Sequence, residues 1–167
     1  MNRYCKLILI LGAVVLGLYP ASAQGLNPLE VARVIREITP VTLAVYQVRY
    51  LPLLDARPQT RFTPDQARAL LPHFNRLASQ DELSLEQYRR IGTAISQVLT
   101  AEQDTYYSRL VKEQGKDNPA LKDSEMKLLL EYYQAKIAYN PFAPNGFAHS
   151  DLKNLIKLLE ARAREKA

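Results

Sequence analysis

Four times in this chain of 167 residues an apolar residue is followed by Asn, Ser or Thr and then, three positions later, by Glu or Gln. The segments are Leu26-Asn27-Pro28-Leu29-Glu30, Phe62-Thr63-Pro64-Asp65-Gln66, Leu83-Ser84-Leu85-Glu86-Gln87 and Leu99-Thr100-Ala101-Glu102-Gln103. Each has the chemistry of a helix start. The short side chain at the N-cap accepts a hydrogen bond from the N–H of the third helical residue, whose Glu or Gln reaches back to the N-cap N–H. Deleting such a cap costs about 0.5–2 kcal/mol. Between the boxes apolar residues recur at intervals of three and four, the period of an amphipathic helix, and strand-like alternation is missing. The expected fold is all-α, a single-domain bundle of about five to six short amphipathic helices.

Residues 1–23 read as a cleaved export signal. Arg3 and Lys6 precede a 13-residue apolar run from Leu7 to Tyr19, and Pro20 and the small residues Ala21-Ser22-Ala23 follow. That run is shorter than the roughly 18 residues expected of a spanning helix, and no later stretch approaches it. The reading is a soluble exported protein, periplasmic, envelope-associated or extracellular, with residues 24–167 forming one domain and no membrane span after cleavage. Cys5 is the single cysteine and lies within the signal, so disulfides, thiolate catalysis and cysteine metal sites are not expected of the mature chain. Removing the signal leaves 20 basic and 17 acidic side chains, a net charge of +3. These are interspersed without a long basic block, so nucleic acid is not an expected partner.

The second box opens a helix with Ala67, Leu70, Leu71, Phe74 and Leu77 on one face. Pro72 lies inside it and predicts a bend or restart near Leu70. The third box aligns Leu85, Tyr88, Ile91, Ile95 and Val98, and the fourth helix follows after a tight bend and is expected to stop at Gly115. A fifth is expected over 123–139, apolar on two stripes. The proline-rich segment Asn140 to Phe147 forms a loop, and a last helix begins at Ser150. Near the start, Pro40 is expected to interrupt the helix opened at Asn27, and Pro52, Pro58 and the polar residues from Arg57 to Arg61 are expected to form the linker to the second box. Residues 41–51 are rich in β-branched side chains and allow a strand, but Val41, Val45, Val48 and Leu51 at helical spacing favour helix.

Catalytic signatures are sparse. His73 and His149 lack metal-ligand spacing, and the acidic residues Asp65, Glu86 and Glu102 have a sufficient role in first helical turns. Neither a nucleophile elbow nor a phosphate-binding glycine loop is present, so no enzyme, metal or cofactor is expected. The candidate binding residues are aromatic: the adjacent pairs Tyr106-Tyr107 and Tyr132-Tyr133, with Phe142 and Phe147 in the loop. Neighbouring rings on a helix point roughly 100° apart, so one of each pair is free to form a rim suited to another chain. The two phenylalanines alternatively tuck the loop onto the bundle.

Leu99-Thr100-Ala101-Glu102-Gln103 matches the Leu-Thr-x-x-Gln motif of the periplasmic proteins typified by Spy and CpxP, and Leu83-Ser84-Leu85-Glu86-Gln87 is a serine variant. The resemblance covers residues 62–110. It implies an envelope chaperone or regulator whose helices after Ser84 and Thr100 belong to a cradle, formed by a homodimer, that holds unfolded clients. The arrangement around Gln66 to Pro72 is also similar to small exported helical proteins of bacteria with no assigned activity. The functional expectation is therefore a noncatalytic envelope protein that binds other polypeptides. A structural or assembly component of the envelope is the alternative, and a hydrolase the weaker one.

Overall fold

The computed structural model describes residues 28–117 and 120–166. Their order is α1 (Pro28–Asp55), a 3₁₀ turn (Pro58–Thr60), α2 (Pro64–Ser79), α3 (Leu85–Val98), α4 (Ala101–Asp117), α5 (Asp123–Gln134) and α6 (His149–Ala163). The described residues form six α-helices and no strand, as the apolar period predicts. The expected signal, Asn27 and the side chain of Glu30 lie outside the described part.

Helix α1 is the centre of the bundle. It packs against α3, α4, α5 and α6, while α2 pairs chiefly with α6 and α3. Every residue from Pro40 to Val48 is buried, together with Tyr50, Leu51, Leu54 and Asp55. The expected interruption at Pro40 is corrected: α1 runs unbroken for 28 residues through Pro40 and Pro52. An internal proline forfeits a backbone hydrogen bond and costs about 3 kcal/mol. Fully burying one large apolar side chain returns roughly 1.5–3 kcal/mol, and α1 buries many, so packing overrides local propensity. The same burial makes 41–51 helical despite its β-branched residues. Thr39 and Thr42 also donate to the carbonyls of Ile35 and Ile38, at 2.6 and 3.1 Å, which uses the hydroxyls within the helix.

Three capping boxes are present in full. Gln66, Gln87 and Gln103 donate their N–H groups to the hydroxyls of Thr63, Ser84 and Thr100, each at 3.2 Å. Their Oε1 atoms accept from the corresponding N-cap N–H groups at 3.1, 2.7 and 2.9 Å. Two boxes are also joined to each other. Gln66 Nε2 donates to Gln103 Oε1 at 2.7 Å, and Gln103 Nε2 donates to Gln66 Oε1 at 3.2 Å. The second proton of Gln66 Nε2 goes to the Val98 carbonyl and that of Gln103 to the Thr60 carbonyl, at 3.0 and 3.1 Å. Both amides thus use every donor and acceptor they possess.

Other expected boundaries shift. Helix α2 continues past Pro72, which faces solvent, with Ala67, Leu70, Phe74 and Leu77 buried on the opposite side. Helix α4 extends beyond Gly115 to Asp117, and α6 begins one residue before Ser150. Helix α5 stops at Gln134 rather than reaching 139. Lys136 adopts a left-handed φ of 55°, its N–H donates to the Tyr133 carbonyl and that of Ile137 to the Tyr132 carbonyl. These are the two bonds of a Schellman stop, here made without the usual glycine.

The exposed position of Pro72 makes its effect testable. Pro72→Ala restores a donor inside α2 without opening a core cavity and is expected to raise unfolding stability by about 1–3 kcal/mol, measured by urea denaturation. An unchanged or lower stability would mean that the packing of α2 requires the proline.

Candidate functional site

The aromatic residues separate into core and surface. Tyr107 on α4 and Phe142 in the loop are buried, so neither ring lines a surface. Tyr106 is half-buried, with the guanidinium carbons of Arg57 and Arg109 at 4.2 and 4.9 Å from its ring centroid, within cation–π range. On α5, Tyr133 packs against the core, and burial followed by the nearby Glu37 charge pushes its hydroxyl up to about 12. Its neighbour Tyr132 turns away from that environment. The adjacent rings do diverge, as helical geometry requires.

Tyr132 heads an aromatic ladder. Its ring stacks on Tyr139 at 4.3 Å with an interplanar angle of 10°, and Tyr139 meets Phe147 at 6.3 Å. The Schellman stop makes this possible: it reverses the chain after Gln134 and brings Tyr139 back over the last turn of α5. Ile137, at the reversal, remains 51% exposed. Arg49 of α1 closes the far end of the ladder, 5.9 Å from the Phe147 centroid.

Arg49 is the polar anchor beneath this surface. Its Nη1 and Nη2 donate to the two carboxylate oxygens of Glu125, both at 2.8 Å, and its Nε donates to Asp151 Oδ2 at 2.7 Å. Nη1 also bonds the Ala120 carbonyl. Glu125 lies in the first turn of α5 and Asp151 in the first turn of α6, so one guanidinium ties two helix starts to α1. Burial alone would raise the Glu125 carboxyl. The hydrogen bonds from Arg49 and from the Lys122 N–H outweigh it and hold the group below its ordinary value.

The loop behind the ladder is pinned by Asn140. Its amide nitrogen donates to the Leu77 and Gln80 carbonyls at 2.8 and 2.6 Å, which are freed at the end of α2. Its Oδ1 accepts from Tyr88 Oη at 3.1 Å and from the Phe142 N–H at 2.9 Å, the latter closing an Asx turn. Gly146 is required where the loop closes, because a Cβ there would overlap the Pro141 carbonyl.

The structure joins Tyr132 to Phe147 through Tyr139, with Tyr139 and Phe147 half-buried against the core so that both loop phenylalanines tuck onto the bundle, and leaves Tyr106 apart from them. It adds Tyr139, Ile137, Arg49, Glu125, Asp151 and Asn140, which sequence reasoning did not single out as functional. An Asn-Pro dipeptide and a lone arginine amid apolar residues were the available signals for Asn140 and Arg49. His149 Nδ1 lies 3.0 Å from the Phe142 carbonyl, a contact that steadies the loop, and His73 stands half-buried on α2. Beside His149, Ala78, Leu152 and Ile156 floor an open cleft of about 290 Å3 edged by Lys153, Lys157 and Glu160. His149 and Glu160 are eleven residues apart on α6, about 16 Å along the axis, too far to share a proton. Among the described residues no group of three or more His, Cys, Asp or Glu is placed to hold a metal, and no helix is long and apolar enough to cross a membrane. No protein-family model, curated protein or solved structure matches the chain.

The Arg49 anchor predicts a pH dependence. A carboxyl whose folded value is depressed contributes stability that is complete above its unfolded value and disappears as pH falls through the folded value. The window therefore lies below the ordinary value of 4.5. Melting temperature measured between pH 6 and about 3 is expected to fall more steeply for the natural chain than for Glu125→Gln. Parallel curves would show that Glu125 is not held by Arg49 in solution.

Proposed function

We propose that this chain is a noncatalytic protein exported to the cell envelope, where it binds other polypeptides in a chaperone-like manner. The observation that carries the reading is the half-buried stack of Tyr132 on Tyr139, next to Phe147, at the chain reversal where Ile137 stands exposed. Amphipathic rings with an apolar body and a polar tip suit binding to chains of varied sequence, because they contribute contact area at little cost in conformational entropy. The basic and apolar N-terminal pattern supports export. The Leu-Thr-x-x-Gln resemblance agrees in direction, but it does not locate the surface: Gln103 is 2% exposed and its amide is consumed within the fold.

Light scattering from a thermally aggregating client tests this reading. The natural chain at near-stoichiometric ratio is expected to suppress aggregation, and Tyr132→Glu with Ile137→Glu to lose most of that effect when both are assayed below their melting temperatures. A natural chain without effect, or a double variant that protects equally well, would contradict the proposal.

A further inference from the structure

Helix α5 is held more lightly than its neighbours. It packs chiefly on α1, and between Leu121 and Asn140 the only buried residues are Glu125 and Leu129. Helices α2, α3 and α6 each bury three or more apolar side chains. The segment is nevertheless fastened at both ends. Ala120 and Leu121 are buried ahead of it, and behind it Asn140 is bonded to the Leu77 and Gln80 carbonyls. A stretch with few buried apolar contacts between two fixed points is a unit that opens locally, at a lower free energy than the whole domain unfolds.

What closes this unit is largely a charge. Glu125 accepts from both Nη groups of Arg49 at 2.8 Å, and Leu129 is the one apolar side chain that α5 commits wholly to the interior. The charged and titratable groups around Glu125 and its arginine are Tyr50 of α1, Asp151 of α6, Tyr139 of the loop and Lys122 just ahead of α5. His149, two residues before Asp151, is turned to the Phe142 carbonyl instead, at 3.0 Å. Opening strands none of the charges. Arg49 keeps Asp151 at 2.7 Å, and a protonated Glu125 leaves as a neutral group, so no uncompensated buried charge remains behind.

We propose that α5 is a strap released by acid: when Glu125 takes up a proton, residues 122–139 lift from α1 while α1, α2, α3, α4 and α6 stay packed. The closed strap has its full advantage above the ordinary carboxyl value of 4.5 and loses it as pH falls through the lower value that Arg49 imposes. Release bares Leu129 together with Met126 and Tyr133, which pack against the core when the strap is closed. The device is independent of the polypeptide-binding reading, since it concerns which surface the bundle shows at a given pH.

Deuterium uptake of the purified chain, followed peptide by peptide by mass spectrometry and corrected for the intrinsic exchange rate, is compared at neutral pH and at about pH 3. Protection over 122–134 is expected to fall in acid by about tenfold more than protection in α2, α3 and α6. Glu125→Gln is expected to show the weakened protection already at neutral pH and to lose most of the further change. Glu131→Gln, on the exposed side of α5, is expected to keep the natural profile. An α5 that stays protected in acid, a uniform loss across all helices, or equal behaviour of the two variants would overturn the proposal. So would a Glu125→Gln chain that loses protection in α2, α3 and α6 at neutral pH as well, because α5 would then not be detachable.

Discussion

The mutual hydrogen bonding of Gln66 and Gln103 is the constraint on which the arrangement of helix ends depends. Each side chain caps its own helix, saturates the other and spends its remaining proton on a carbonyl from a third segment. A glutamate at either position would keep the reciprocal cap but could not donate, and two carboxylates at this distance would repel one another. Glutamine is therefore demanded by the meeting of the two boxes, not by either box alone. The tie joins the starts of α2 and α4, the end of α3 through Val98 and the turn after α1 through Thr60. The same pole is closed by Asp55 at the end of α1, which accepts from the Phe62 N–H at 3.1 Å and forms a forked pair with Arg162 of α6. That carboxylate is buried, and its partners satisfy it rather than add a large net stability.

Polar anchors elsewhere complete the pattern. Arg49 draws the starts of α5 and α6 onto α1, and Asn140 gathers the end of α2, Tyr88 of α3 and the loop before α6. Between these anchors the interior is largely apolar, with α1 packed against α3, α4, α5 and α6; Thr42 and Gln47 are the polar side chains that α1 buries among them. Apart from the 14 residues between Gln134 and His149, which Asn140 pins, the connections between described helices are short, so the helix directions follow from where the anchors sit.

Much of this was legible in the sequence because capping is local. Thr63, Ser84 and Thr100 mark helix starts through bonds that reach only three residues, and the structure places a helix after each. The boundaries that moved were set by long-range burial. Pro40 and Pro52 remain inside α1 because four helices cover that segment, which no local propensity encodes. The stop at Lys136 was illegible for the opposite reason: glycine usually marks a left-handed cap, and lysine carries no such signal. The candidate surface was half legible. Tyr132 and Phe147 emerged from their residue type, but their junction through Tyr139 depends on the chain reversal, and burial removes Tyr107 and Phe142 from any binding role at the surface.

The Leu-Thr-x-x-Gln segment is one half of a tie between helices. A double-mutant cycle with Gln66→Ala, Gln103→Ala and the combined variant, followed by urea denaturation, tests that claim directly. Two reciprocal hydrogen bonds in a largely buried setting predict a coupling of about 1–2 kcal/mol between the positions. Costs that add to within about 0.5 kcal/mol would mean that the two boxes act independently and that the tie does not hold the bundle together.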